Sequence, residues 1–255
     1  MSVTASRVYH VNVNCSDLEG ALAFYRDRLG FTPGAHTAPL TAQPGAAFGL
    51  DRVQWDAWIM HGAAGPVGPV IDLLEWRVPR PVGRPPRAGT AAVGFTGLLV
   101  SSPIDDASDL CVDPDGTALT VVAADSVALT GVRIGCSDVL ASTGFYTEVL
   151  GFTPAPTPHD RITLQDGSAT FTIELHPQPP GAAPASPSAN RLGIYRMAML
   201  TDAIDEDHRR LLDAGVRCYS DPATLDMGPG LPTLRALFFA DPDGATIELI
   251  EAPRA

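Results

Sequence analysis

The chain has 255 residues, 45% of them hydrophobic, and carries a net charge of -12. Its length allows one large core or two ordinary ones, and its acidity argues against a nucleic-acid partner, which needs a basic face. No apolar run reaches the ~18 residues of a membrane helix, and no N-terminal stretch reads as a signal peptide, so a cytoplasmic protein without membrane contact is expected.

The first element predicted is a strand at His10–Asn14, where apolar and polar residues alternate. Ser16 or Asp17 then caps a helix whose apolar side chains recur to Leu29, with Gly30 as its stop. Strand-like runs follow near Ala47–Leu50, Val53–Met60 and Val70–Trp76, which completes one βαβββ unit. The next unit opens on Phe95–Val100, has a helical stub at Ile104–Leu110 and closes on Leu119–Val122.

The plan then repeats. "HVNVNCSDLEGALAFYRDRLGF" from His10 is echoed by "GVRIGCSDVLASTGFYTEVLGF" from Gly131, and "CVDPDGTALTVV" from Cys111 by "FADPDGATIELI" from Phe239. The echo predicts a strand at Val132–Ile134, a helix at Asp138–Leu150 and strands near Arg161–Leu164 and Thr170–Leu175. The last unit reads as strand Tyr195–Leu200, a helix from Ile204 stopped by Gly215, and strands Leu234–Phe239 and Thr246–Glu251. Two homologous halves are therefore expected, 1–125 and 126–255, each of two modules. The Asp-Pro-Asp-Gly segments read as tight turns. Pro79–Gly89 and Pro177–Pro187 read as connectors, and Asp221–Pro232 as an irregular cover over the last sheet. Cys15, Cys111, Cys136 and Cys218 form no Cys-x-x-Cys pair and read as free thiols.

These motifs resemble the vicinal oxygen chelate superfamily of glyoxalases, bleomycin resistance proteins and extradiol dioxygenases. The resemblance implies an α+β fold of two tandem domains, each made of two βαβββ modules in a curved, open, barrel-like sheet around a cleft. It also implies four metal-ligand positions per cleft, on the first and last strands of two modules. In the N-terminal half those positions fall on His10, Asp72, Thr96 and Thr120; in the C-terminal half on Gly131, Glu174, Arg196 and Glu248. Neither half has a complete set of His and carboxylate donors. The guanidinium of Arg196 is expected to stand where a cation would, between Glu174 and Glu248.

Two readings of that triad stay open: a neutralised structural network, and a site in which Arg196 orients an anionic or enolisable substrate while a glutamate serves as general base. Glu248, Glu174 and Arg196 are thus the candidate catalytic residues. His10, Asp72, Thr96 and Tyr195, with an apolar wall of Trp58, Met60 and Trp76, are the candidate substrate contacts. Gly131 is expected to leave room for a ligand beside Arg196. His176 shares the face of Glu174 only if the strand stays regular up to Pro177.

Three functions follow. The leading one is a small-molecule enzyme of isomerase, cyclase or lyase type in bacterial secondary metabolism, working without metal or other cofactor. The second is a binding or resistance protein that sequesters a planar organic compound. The third is a metal-dependent glyoxalase- or dioxygenase-like enzyme, with a divalent ion on His10 and Asp72 or on Glu174 and Glu248. A small organic molecule is the expected partner in each, and the chain is expected to be a monomer or a homodimer.

Overall fold

A computed structural model describes residues 2–5, 7–103, 110–155, 162–168, 170–185 and 188–251. The expected helical stub at Ile104–Leu110, but for Leu110 at the start of β7, and the strand start at Arg161 lie outside the described residues.

Four modules follow one another. The first holds β1 (Arg7–Asn14), α1 (Leu18–Ala23), β2 (Thr32–Thr37), β3 (Gln43–Pro44), β4 (Arg52–His61) and β5 (Val70–Val78). The second holds β6 (Gly94–Ser102), β7 (Leu110–Val112) and β8 (Ala118–Ala123). The third holds β9 (Ala128–Cys136), α2 (Val139–Gly144), β10 (Thr153–Pro154), β11 (Ile162–Gln165) and β12 (Thr172–Pro177). The fourth holds β13 (Gly193–Leu200), α3 (Ile204–Asp213), β14 (Ala223–Leu225), β15 (Leu234–Ala240) and β16 (Thr246–Glu251). The strand expected at Ala47–Leu50 is instead a single 3₁₀ turn, Ala46–Phe48, closed by Gly49 at φ 68.

Each sheet is built from two modules, but not the two that are adjacent in either half. Strands β14-β15-β16-β13-β1-β5-β4-β2 form one path, so the first and fourth modules share the outer sheet. Strands β10-β11-β12-β9-β6-β8-β7 form the other, so the second and third share the inner sheet. The seams are antiparallel: β1 on β13, with Asn12 opposite Arg196, and β6 on β9, with Leu98 opposite Val132. The expectation that each half closes its own sheet is thereby corrected. All four modules present a similar apolar first strand, and the repeat alone does not choose among their edges.

The halves are tied by their helices instead. Both helices pass into one wide π turn, Phe24–Arg28 and Phe145–Val149, which buries Tyr25 and Tyr146. Tyr25 donates to Asp113 Oδ2 at 3.3 Å, and Tyr146 to Asp241 Oδ2 at 3.0 Å. Those carboxylates are the first residues of the two Asp-Pro-Asp-Gly turns. The second Asp of each turn accepts from a serine at the mouth of the helix: Ser16 donates to Asp115 and Ser137 to Asp243. The echoed motifs of each half thus recognise one another across modules. A single apolar core, including Val11, Leu98, Val132 and Leu249, joins the two sheets.

Candidate active site

The four central strands of the outer sheet, β16-β13-β1-β5, carry Glu248, Arg196, His10 and Asp72. All four are buried, at 2%, 6%, 5% and 4% exposure. Arg196 donates through Nε to Glu248 Oε2 at 2.7 Å and through Nη2 to Asp72 Oδ2 at 3.1 Å. Asn12 Nδ2, two residues along β1 from His10, also donates to Asp72 Oδ2 at 3.1 Å. The guanidinium is further seated over the rings of Tyr195 and Phe238.

His10 Nε2 approaches Glu248 Oε2 to 3.2 Å and Asp72 Oδ2 to 3.9 Å. The approach is out of line for a hydrogen bond, and among the described residues neither ring nitrogen has such a partner. Arg196 Nη1 is likewise buried without one. Burial alone would push the Glu248 carboxyl up, but Arg196 and His10 outweigh it and hold Glu248 below its ordinary value.

A cavity of about 170 Å³ stands over these side chains. Its wall comes from Phe48, Trp55, Ile59 and Leu74. Its roof is the end of β14 and the segment after it, with Leu225, Met227, Leu231 and Pro232; the stretch 221–232, expected to be irregular throughout, thus holds the short strand β14. That roof belongs to the fourth module and is fastened to the first. Gln43 donates to the Asp226 carbonyl and accepts from Asp226 N–H, and Ala38 N–H donates to the Met227 carbonyl.

The structure divides the residues singled out from sequence. His10, Asp72, Arg196 and Glu248 come together. Glu174 does not: it lies on β12 of the inner sheet, where Arg133 Nε donates to it at 2.8 Å. The expected Glu174–Arg196–Glu248 triad is therefore replaced by Asp72–Arg196–Glu248. Thr96 and Thr120 also belong to the inner cleft: Arg133 Nη1 donates to Thr120 Oγ1 at 2.6 Å, and Thr96 Oγ1 donates to the Arg133 carbonyl at 3.3 Å. His176 does share the face of Glu174, at 3.4 Å, since β12 runs regularly to Pro177. Gly131 offers no ligand room, because a Cβ there would overlap the Thr172 carbonyl of β12.

The aromatic wall differs as well. The residues of β4 facing the cavity are Trp55 and Ile59, one step out of phase with Trp58 and Met60. Trp58 stacks on His36 at 4.6 Å, Met60 packs into the main core, and Trp76 lies behind the wall, donating to Asn14 Oδ1 at 2.9 Å. Tyr195 lies beneath Arg196 and opens on a separate groove beside Thr246. Arg133 was missed from sequence. The signal was present, since Arg133 aligns with Asn12 in the echo and stands two residues, hence one face, from Gly131.

The profile of the Glyoxalase/Bleomycin resistance protein/Dioxygenase superfamily matches twice, over residues 7–127 and 125–249. The chain belongs to that superfamily. Glyoxalase I from Zea mays has a similar fold, with a TM-score of 0.67 at 15% identity over 97% of this chain and 92% of that one. A putative dioxygenase from Bacillus subtilis subsp. subtilis str. 168 gives 0.67 at 13% identity over 100% and 87%. No curated protein matches the chain significantly. Among the described residues, no helix is long and apolar enough to cross a membrane.

Glyoxalase-superfamily proteins bind small organic substrates and often use a divalent metal. Here the donor set does not fit one. Arg196 holds an oxygen of each carboxylate, so an added cation would meet the guanidinium at close range in a buried setting. Among the described residues, no group of three or more His, Cys, Asp or Glu side chains is placed to hold a metal ion.

Proposed function

We propose that this glyoxalase-superfamily protein is a small-molecule enzyme that moves protons without a metal, in a reaction of isomerase, cyclase or lyase type. The observation that carries the reading is the His10 ring, buried beneath the cavity with no hydrogen-bond partner and 3.2 Å from an ionised Glu248. An imidazole so placed takes a proton from a substrate carbon, and the Glu248 carboxylate offsets the charge that develops on the ring. Arg196 Nη1 faces the oxygen of the resulting enolate and stabilises it, while Nε and Nη2 keep the guanidinium fixed. Return of the proton to a neighbouring atom completes an isomerisation; its transfer to a departing group completes an elimination. In this reading Glu248 balances charge, Arg196 holds the substrate oxygen, and His10 is the proton carrier in place of a glutamate.

A generic ketone suffices as the test compound. In D2O, the protein is expected to exchange the α-protons of a compact enolisable ketone, followed by proton NMR. His10→Asn and Glu248→Gln each slow the exchange by about 10²–10⁴-fold while circular dichroism stays unchanged. Exchange that persists in both variants removes the reading. A compound recovered unaltered from the cavity, with no exchange of any ketone, favours sequestration instead, to which the mostly apolar wall is also suited.

A further inference from the structure

We propose that the outer cavity selects a compact, uncharged, mostly apolar molecule with one carbonyl or hydroxyl oxygen, and discriminates against carboxylates and ammonium ions. The inference deepens the reading above by naming the class of molecule on which the proton-moving residues act.

Size sets the first limit. A cavity of about 170 Å³ is close to the ~150 Å³ that accommodates a benzene ring in an apolar protein core. A peptide or nucleotide carrier does not fit inside it. The roof restricts the mouth, because Gln43 and Asp226 exchange two hydrogen bonds across it and Gly228, at φ 106, packs against the Ala38 backbone. Phe48, Trp55, Ile59, Leu225 and Met227 then supply an apolar surround for the body of the ligand.

Charge sets the second limit. Beneath the cavity stand one guanidinium and two carboxylates, so the set sums to -1 with His10 neutral and to zero with His10 protonated. In neither state is there a surplus positive charge to receive an anion. A carboxylate would enter as an extra buried charge beside two others, within a mostly apolar wall whose polar groups, the Tyr9 and Thr37 hydroxyls, carry no positive charge to offset it. A cation would meet Arg196 at the same depth. A neutral oxygen needs a single donor, and Arg196 Nη1 is a buried donor with no partner. The anionic arm of the sequence expectation is therefore the disfavoured one.

Acetophenone, benzoate and benzylamine share one ring and differ in charge, which makes them suitable probes. The Trp55 indole N–H donates to Thr37 Oγ1 at the cavity wall, and its ¹H–¹⁵N resonance, assigned by its loss in Trp55→Phe, reports occupancy. Acetophenone is expected to shift that resonance and to bind at least about tenfold more tightly than either ion, a difference of about 1.4 kcal/mol. Glu248→Gln, or Asp72→Asn should the first variant not fold, removes one negative charge. It should improve benzoate binding about tenfold and leave acetophenone within about threefold. Benzoate or benzylamine binding as well as acetophenone to the wild type, or acetophenone leaving Trp55 unmoved, overturns the proposal. Binding is read without turnover, so acetophenone occupancy without proton exchange removes the enzyme reading and leaves the ligand class standing.

Discussion

Arg196 and Glu248, 52 residues apart on the neighbouring strands β13 and β16, form a buried ion pair at 2.7 Å, and the same guanidinium reaches Asp72 in the other half of the chain. The arginine therefore pairs with a carboxylate from each half. Removing it leaves two buried carboxylates with little compensation. Arg196→Leu is expected to lower the unfolding free energy by about 3–5 kcal/mol, read from the urea midpoint at neutral pH. Adding Glu248→Gln to that variant should recover part of the loss, because one of the stranded charges is gone. A double variant no more stable than the single one contradicts this account.

The same arginine is expected to set metal affinity. Arg196→Gln frees Asp72 and Glu248 beside His10 and replaces a fixed cation with a neutral side chain. After dialysis against cobalt or zinc, the wild type should retain less than about 0.2 equivalents and the variant should approach one, by elemental analysis of tag-free protein. Equal retention in the two proteins would refute the claim that Arg196 stands in the place of a metal.

Asp241 gives the fold a pH dependence of its own. Burial raises its carboxyl to about 6, against the opposing hydrogen bonds from Ala245 N–H, Tyr146 and Asp243 N–H. A group raised in the folded state contributes stability below its unfolded value, near 4, and loses that contribution as pH climbs through about 6. Wild-type stability relative to Asp241→Asn should therefore fall by about 2–3 kcal/mol between pH 4 and pH 7, measured by parallel denaturant titrations. A difference that stays flat across that window rejects the assignment.

Two glycines, one in strand β9 and one in helix α2, should respond in opposite directions. Gly131 meets the Thr172 carbonyl where β9 and β12 approach, so Gly131→Ala should cost about 2 kcal/mol or more. Gly144 is helical at φ -57 with open space where a Cβ would stand, so Gly144→Ala should stabilise by about 0.5–1 kcal/mol. Thermal melts of both variants beside the wild type make the comparison.

Much of this architecture was legible in sequence because it depends on local chemistry. The echoed helices, the Asp-Pro-Asp-Gly turns and the central strands follow from helical spacing, turn residues and period-two alternation, although of the two expected caps only Asp138 on α2 makes its bonds; Asp17 makes none and Ser16 turns to Asp115. The four positions singled out on β1, β5, β13 and β16 do lie side by side in the outer sheet. What sequence did not reveal was which positions share a cleft. Asp72 and Glu174 occupy equivalent strands, and only the choice of β1 edge partner, β13 rather than β6, sets Asp72 beside Arg196 and leaves Glu174 to Arg133. That choice is a long-range packing decision that no local window contains. Trp58 and Met60 were misplaced for a smaller reason. Alternation fixes that they face away from Trp55 and Ile59, but not which of the two faces turns toward the ligand.

The pairing of the first module with the last has a consequence for the order in which the molecule comes into being. The inner sheet is a continuous stretch, Gly94–Pro177, and has all its strands well before the chain is finished. The outer sheet must hold Arg7–Val78 in waiting until β13 and β16 emerge from the ribosome. Until then β1 presents a bare edge, with Val11 and Val13 among the apolar side chains it carries. The outer cavity is thus the last part of the protein to exist, and a nascent chain stopped between Pro177 and Glu248 has every strand of its inner sheet but not yet the four buried side chains beneath that cavity.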